Sequence, residues 1–284
     1  MARKTSQNCQ FKVNNMQFLN EKTNFNFMGK RKLAALFSAI LLLASIGSII
    51  VNGFNFGIDF TGGTMIEVAY QEEAELDKIR ATLEMGGFTD AIVQNFGSIH
   101  DVLIRLPVIE SENMAELSNQ VIDLLQSENA TPLDVRRAEF VGPQVGEELT
   151  EQGGLAMLYA LIGILIYVSL RFEYRFAIGS VAALVHDVLL TLGVFSFFQL
   201  QFDLTVLAAI LAIIGYSLND TIVVFDRVRE TFLKMRKGSS EEIVNLALND
   251  TLSRTLMTSM TTLLVVISLF IFGGEVIHAF SIAL

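Results

Sequence analysis

Five stretches of this chain are too long and too apolar for a water-soluble fold, and they decide what the remainder can be. Residues 33–51, 154–170, 176–200, 204–225 and 255–272 each carry at most two ionisable side chains. A helix that crosses ~30 Å of hydrocarbon needs about 20 such residues, and each run approaches or exceeds that length. Charged residues make up 18% of the chain, against about 25% in an average soluble domain. The first run invites comparison with a cleaved signal peptide, whose apolar core is about 7–15 residues ahead of a small-residue cleavage site. Here the run follows a leader of residues 1–32 and no A-x-A follows it, so it reads as an uncleaved span. A further apolar run opens at Val276 and stops with the chain at Leu284. It is too short to span and reads as the start of a truncated sixth helix.

The expected organisation is a basic cytoplasmic leader at 1–32, spans at 33–52, 153–171, 176–200, 204–225 and 254–273, an inserted domain at 53–152, a cytoplasmic connection at 226–253, and the start of a sixth span at 275–284. Orientation follows from where Lys and Arg flank the spans. The leader holds 7 basic residues against 1 acidic, whereas residues 52–153 hold 5 against 19. Arg171 and Arg175 flank the second connection, and Arg227, Arg229, Lys234, Arg236 and Lys237 lie in the fourth. The intervening loops at 199–203 and 273–275 contain none. The leader therefore faces the cytoplasm and the acidic 52–153 segment lies outside. The basic region is a membrane flank, so lipid is an expected partner and nucleic acid is not. Cys9 is the single cysteine, which excludes an intrachain disulfide and a multi-cysteine zinc site. No metal or cofactor is expected.

Residues 53–152 suffice for a small domain. Residues 64–70 alternate as a strand does, and 72–85 place Leu76, Ile79 and Leu83 at helical spacing ahead of Gly86 and Gly87. Two further strands, 91–96 and 101–106, flank Gly97. A second helix over 111–126, with Ser111 as its N-cap, and a last strand at 132–141 complete a β-α-β-β-α-β order. That order predicts a ferredoxin-like α+β fold. His100 stands without clustered ligands, and no hydrolase constellation is visible, so docking or substrate contact is expected in place of enzyme chemistry.

Ionisable residues inside spans cost ~2.5–3.5 kcal/mol on insertion scales and face a partner or a cavity. Asp187 sits mid-span beside His186, on a face shared with Ser180, Ala183 and Thr191. The pair reads either as an interhelical hydrogen bond or as a proton relay. Asp220 stands among Ile and Val near the cytoplasmic end of its span, with Ser217 on the same face and Asn219 flanking. Arg254 opens the next span, and Thr258 and Thr261 continue a polar stripe inward. Consecutive antiparallel helices bring Asp220 and Arg254 to similar depth. The spacing therefore predicts that they lie close or share a polar cavity, where a carboxylate beside an arginine alternates between paired and protonated states.

The stretches GIDFTGGTMIEV (57–68), FVGPQVGEEL (140–149), AIGSVAALVHDVLLTLGVFS (177–196), IGYSLNDTIVVFDRVRE (214–230) and LSRTLMTSMTTLLVVISLFIFGG (252–274) resemble the SecD/SecF family of bacterial protein-export membrane proteins, of the resistance-nodulation-division superfamily. The resemblance covers residues ~30 to the end. It implies a six-span half of an α-helical polytopic assembly in the bacterial inner membrane, completed by a SecD subunit. It further implies association with the SecYEG channel, YajC and the translocating preprotein, and use of proton or sodium motive force in late export. Asp220 and Arg254 match the family's ion-coupling positions. The GIDFTGG stretch lacks the lysine of a phosphate loop. Gly57, Gly62 and Gly63 read as backbone turns joining the span to the first strand, and Asp59 as a turn or cap residue. A small-molecule exporter half and a passive scaffold are the competing functions.

Overall fold

A lipid-embedded backbone must satisfy its hydrogen bonds internally, so the apolar runs become long helices. The computed structural model describes residues 23–108, 114–129, 131–171, 173–235 and 237–284. Most of the basic leader, Ser111 and Arg236 lie outside the described residues. Helix α1 is Arg31–Asn52 and leads, through the two-residue strand β1 (Asn55–Phe56) and the single turn α2 (Ile58–Thr61), into a sheet domain. Helices α5 (Pro143–Arg171), α6 (Tyr174–Phe198), α7 (Leu204–Lys234) and α8 (Ser240–Phe272) follow it. Helix α9 (Glu275–Ala283) closes the chain, and strand β6 (Gln201–Phe202) lies between α6 and α7. Five helices are long and apolar enough to cross a membrane: α1 with its lead-in turn, α5, α6, α7 and α8.

Polarity marks the expected membrane edge, but three helices run past it. Helix α5 starts at Pro143, where proline's fixed φ suits a first helical turn, ten residues ahead of the expected boundary at 153. Helix α7 continues to Lys234, and α8 begins at Ser240 behind a Ser239–Glu242 capping box. At 1.5 Å per residue these last two are ~46 and ~50 Å long, well beyond the hydrocarbon thickness. The connection expected at 226–253 is thus helical on both sides of a short turn. Arg227 holds the two overhangs together through Asp250 at 2.5 Å, with Glu230 of its own helix at 2.6 Å. Arg171 of α5 pairs with Asp226 of α7 at 2.7 Å.

Small residues set the helix packing. The buried residues of α1 are two serines, Ser45 and Ser48. A Cβ on Gly193 of α6 would lie 2.2 Å from the Cβ of Ser45, and Ser48 Oγ is 3.1 Å from Ser196 Oγ. Close backbone approach of this kind drives helix association in lipid. Helix α7 touches α5, α6, α8 and α9. Its Val206, Ile210, Ile214 and Leu218 pack with Leu184 and Phe195 of α6 to form the bundle's core.

The inserted domain is built from β2 (Gly63–Ala69), α3 (Leu76–Met85), β3 (Ile92–Phe96), β4 (Ser98–Leu106), α4 (Met114–Glu128) and β5 (Asp134–Val141). Its sheet order is β3-β4-β2-β5, with every neighbour antiparallel. Alternate residues Ile66, Val68, Val102, Ile104 and Leu106 point to one face, where Ile79 and Leu83 of α3 and Leu117, Val121 and Leu125 of α4 cover them. Gly97, at φ +73°, lets β3 turn directly into β4.

Candidate functional site

Hydrogen bonds join the polar residues of the spans across helix boundaries. On α6, His186 Nδ1 lies 3.0 Å from Asp187 Oδ1, and His186 Nε2 lies 2.6 Å from Ser38 Oγ of α1. Ser217 of α7 donates to the other carboxylate oxygen, Asp187 Oδ2, at 2.6 Å. An ionised carboxylate only accepts, so with Asp187 charged the Nδ1 atom carries the proton, and Nε2 pairs with the Ser38 hydroxyl, which can either donate or accept. Every bond in that line then has one donor and one acceptor. Thr191 satisfies itself on the backbone carbonyl of Asp187 at 3.1 Å. Ser180, on the same face toward the start of α6, is buried, and its hydroxyl has no hydrogen-bond partner among the described residues.

One turn further along α7, Asp220 faces the opposite neighbour. Its Oδ1 accepts a hydrogen bond from Thr255 Oγ1 of α8 at 3.0 Å. Ser217 and Asp220, three residues apart, thereby tie α7 to α6 on one side and to α8 on the other. Tyr216 adds a second α7–α8 link, its hydroxyl donating to Ser259 Oγ at 3.2 Å. Asn219 is exposed beside them, and its amide has no partner among the described residues.

Asp220 and Arg254, expected to lie close or to share a polar cavity, form no direct ion pair; the residue next to Arg254 makes the contact. Thr255, the residue after Arg254, occupies the carboxylate, and no ion pair within 4.0 Å reaches Arg254 among the described residues. Arg254 lines a cavity of about 630 Å³ with Asp226, Arg227, Glu230 and Asp250, and Asp220 is not among its lining residues. The polar stripe inward is internally bonded: Thr258 donates to the carbonyls of Arg254 and Thr255, and Thr261 to those of Met257 and Thr258. The sequence reasoning missed Ser38 and Thr255. Thr255 was legible, since it belongs to the stripe's first turn. Ser38 was not, because nothing local links it to a histidine 148 residues away.

The GIDFTGG residues lie at the other end of the bundle. Gly57 precedes α2, Gly62 and Gly63 follow it at φ +69° and +118°, and Asp59 Oδ2 accepts from the backbone N–H of Leu204, the first residue of α7. Among the described residues there is no group of three or more His, Cys, Asp or Glu side chains able to hold a metal.

A bundle of spans, a small antiparallel sheet domain inserted between the first two, and carboxylates hydrogen-bonded from helix to helix define a multi-pass membrane protein of the transport type. Residues 120–284 match the family described as "Protein export membrane protein SecD/SecF, C-terminal", and residues 47–74 match the "SecD/SecF GG Motif". The chain belongs to the SecD/SecF family of protein-export membrane proteins. It is 52% identical to the protein translocase subunit SecF of Vibrio alginolyticus, over 94% of this chain and 85% of the relative. Against the SecF subunit of Pseudomonas aeruginosa the identity is also 52%, over 91% and 84%. Among solved structures, SecDF from Thermus thermophilus, titled a translocon-associated membrane protein, superposes at a TM-score of 0.82 with 38% identity. That match covers 92% of this chain and 36% of the longer SecDF chain. SecDF in its super-membrane-facing form gives a TM-score of 0.65 at 36% identity.

Proposed function

We propose that this chain is an accessory subunit of the Sec preprotein translocase that joins a SecD chain and the translocon and draws on an ion gradient to promote late export. It would sit in the bacterial inner membrane with its N-terminus cytoplasmic and the sheet domain outside. The split β-α-β pattern makes that domain ferredoxin-like, and α9 begins the sixth span. SecYEG, YajC and the emerging preprotein are the expected neighbours, and no enzyme chemistry is assigned. The family supports the export role, and the asymmetry of basic residues supports the orientation.

The observation that carries the ion reading is Asp220, a carboxylate inside a span whose single hydrogen-bond partner across the helix boundary, among the described residues, is a neutral threonine. A hydroxyl tolerates both states of its partner, donating to a carboxylate and accepting from a carboxylic acid, so the contact survives loss or gain of a proton. A charge carried through the field is worth ~2.3 kcal/mol per 100 mV, enough to bias a conformational equilibrium. Arg254 cannot be deprotonated and is unpaired among the described residues. It supplies the fixed cation toward which an ionised Asp220 or a partner carboxylate turns when the helices move.

The test is preprotein export into membrane vesicles containing this chain, SecD and the channel, with and without an imposed gradient. Asp220→Asn is expected to insert and retain SecD yet lose gradient stimulation. Asp220→Glu keeps a part of it, and Arg254→Lys is poor because an ammonium lacks the planar fork of guanidinium. Wild-type gradient dependence in Asp220→Asn would make the residue merely structural and end this reading.

A further inference from the structure

The GIDFTGG turn is where the sheet domain meets the bundle, and each of its constrained residues makes a close contact there. Gly57 N–H donates to the carbonyl of Phe202 at 2.8 Å within a parallel pairing of β1 with β6, Asn55 opposite Gln201 and Phe56 opposite Phe202. A Cβ on Gly57 would lie 3.2 Å from the Cβ of Asp203. On the other flank, a Cβ on Gly63 would lie 2.4 Å from the carbonyl oxygen of Leu106 in β4, and one on Gly146 of α5 would lie 2.9 Å from the Gly62 nitrogen. Rings of Phe54, Phe56, Phe60 and Phe202 stack at centroid distances of 5.7–5.9 Å through the joint. From the sheet side Arg105, 6% exposed, donates from Nη1 to the carbonyl of Phe56 at 2.8 Å.

One side chain of the turn reaches α7 itself. The first N–H groups of a helix have no intrahelical acceptor and carry partial positive charge. Asp203 caps α7 in the ordinary local way, accepting from Val206 N at 3.0 Å. The Leu204 N–H is satisfied from 145 residues away by Asp59 Oδ2, also at 3.0 Å. The helix that carries Ser217 and Asp220 therefore starts on a carboxylate belonging to the domain's entry turn.

We propose that Asp59 is a positioning residue that couples α7 to the sheet domain, so that a shift of α7 is delivered to the domain as a rigid displacement. Its use in export rests on the reading of Asp220 given above, but the mechanical coupling does not. The joint is held on both sides: the glycine contacts and Arg105 fix the turn to the sheet and to α5, the β1–β6 pairing fixes it to the residues just ahead of α7, and Asp59 makes the side-chain bond to α7 itself.

The experiment uses the full chain with SecD in vesicles, on a Cys9→Ser background, with two readouts. Spin labels at the exposed positions Glu84→Cys on α3 and Ala208→Cys on α7 report the distance between domain and helix. A single narrow distance is expected with Asp59 present. A broad distribution is expected for Asp59→Ala and for Asp59→Ser, which stays polar but is too short to reach Leu204 N. In unlabelled vesicles both variants should lose gradient-stimulated export down to the level of Asp220→Asn, while Asp59→Asn, which keeps an acceptor, retains most of it. A disulfide between Asn55→Cys and Gln201→Cys, placed on paired residues of β1 and β6, should restore stimulation to Asp59→Ala and lose it on reduction. A narrow distance in Asp59→Ala and Asp59→Ser overturns the coupling whatever Asp220 does. So does full gradient stimulation in those variants, or failure of the formed disulfide to restore it. If Asp220→Asn itself keeps gradient stimulation, the ion reading falls and the distance measurement alone decides Asp59.

Discussion

The sheet domain and the helix bundle are built from similar apolar residues under opposite rules. In the domain Ile66, Val68, Leu83 and Leu117 are fully buried, with 0% of their surface exposed. In the bundle, Leu43 of α1 is 70% exposed and Phe272 of α8 82%, because hydrocarbon in place of protein is their surroundings. Removal from water holds the domain together. Inside lipid that force between helices is absent, and small-residue contacts and polar pairs must hold the bundle. A serine or carboxylate in α1, α6 or α7 thus carries more of the architecture than a leucine beside it. In the domain the order is reversed.

That contrast is open to direct attack. The largest expected effect is Ile66→Ala, which should destabilise the domain by ~2–5 kcal/mol, read as faster hydrogen exchange along β2 and β4 in the full chain. The matched substitution Leu43→Ala should change stability by no more than ~0.5 kcal/mol in bilayers, like an exposed site in water. An equal cost for the two would dissolve the distinction. Next comes Ser217→Ala, which leaves Asp187 without a donor across the helix boundary. Interhelical bonds of this type average ~0.6 kcal/mol and reach ~1.7, measurable by reversible unfolding in mixed micelles. The strap before α1 sharpens the rule at the end of the bundle where α1 begins. Asn249 accepts from Phe25 N at 2.8 Å and donates to Phe25 O at 2.9 Å, and Asn245 accepts from Phe27 N at 2.8 Å. Asn249→Ala should cost ~1 kcal/mol, seen as exchange at Phe25 with α8 unchanged.

The smallest effect vanishes at neutral pH. Burial pushes the Tyr70 phenol up to about 12 from 10.0, with the Asn129 side chain acting the other way. A raised folded value means the native domain holds its proton where the unfolded chain has lost it. Stability is therefore complete below pH 10 and declines between about 10 and 12. Tyr70→Phe should remove that decline, and an unchanged alkaline melting profile would contradict the assignment.

Legibility in the sequence followed the range of the interactions. The apolar runs and the alternating and helical patterns between residues 63 and 141 are local, and long apolar helices and the strands and helices of the domain stand where those patterns lie. Charge marks an expected lipid edge but not where a helix ends, so the overhangs at Pro143, Lys234 and Ser240 were not readable. At the site, Asp187, Ser217 and Asp220 stood out because a charge or hydroxyl within Ile and Val is costly. The partner Ser38 did not, because a three-dimensional neighbour of that kind looks like any other small polar residue. Depth alone paired Asp220 with Arg254, yet side-chain direction on α8 gives the contact to Thr255. Asp59 was legible as a cap, but its helix begins far along the chain.

The central claim is that Asp220 binds the coupling ion within a bundle that polar pairs hold together. It is tested most directly by ion uptake into vesicles containing the purified chain with SecD, driven by an imposed membrane potential and followed with a pH-sensitive dye or labelled sodium. Wild-type vesicles should take up one of the two ions, and Asp220→Asn vesicles of equal protein content and unaltered SecD binding should fall to the protein-free background. Uptake by Asp220→Asn at the wild-type rate would contradict the account.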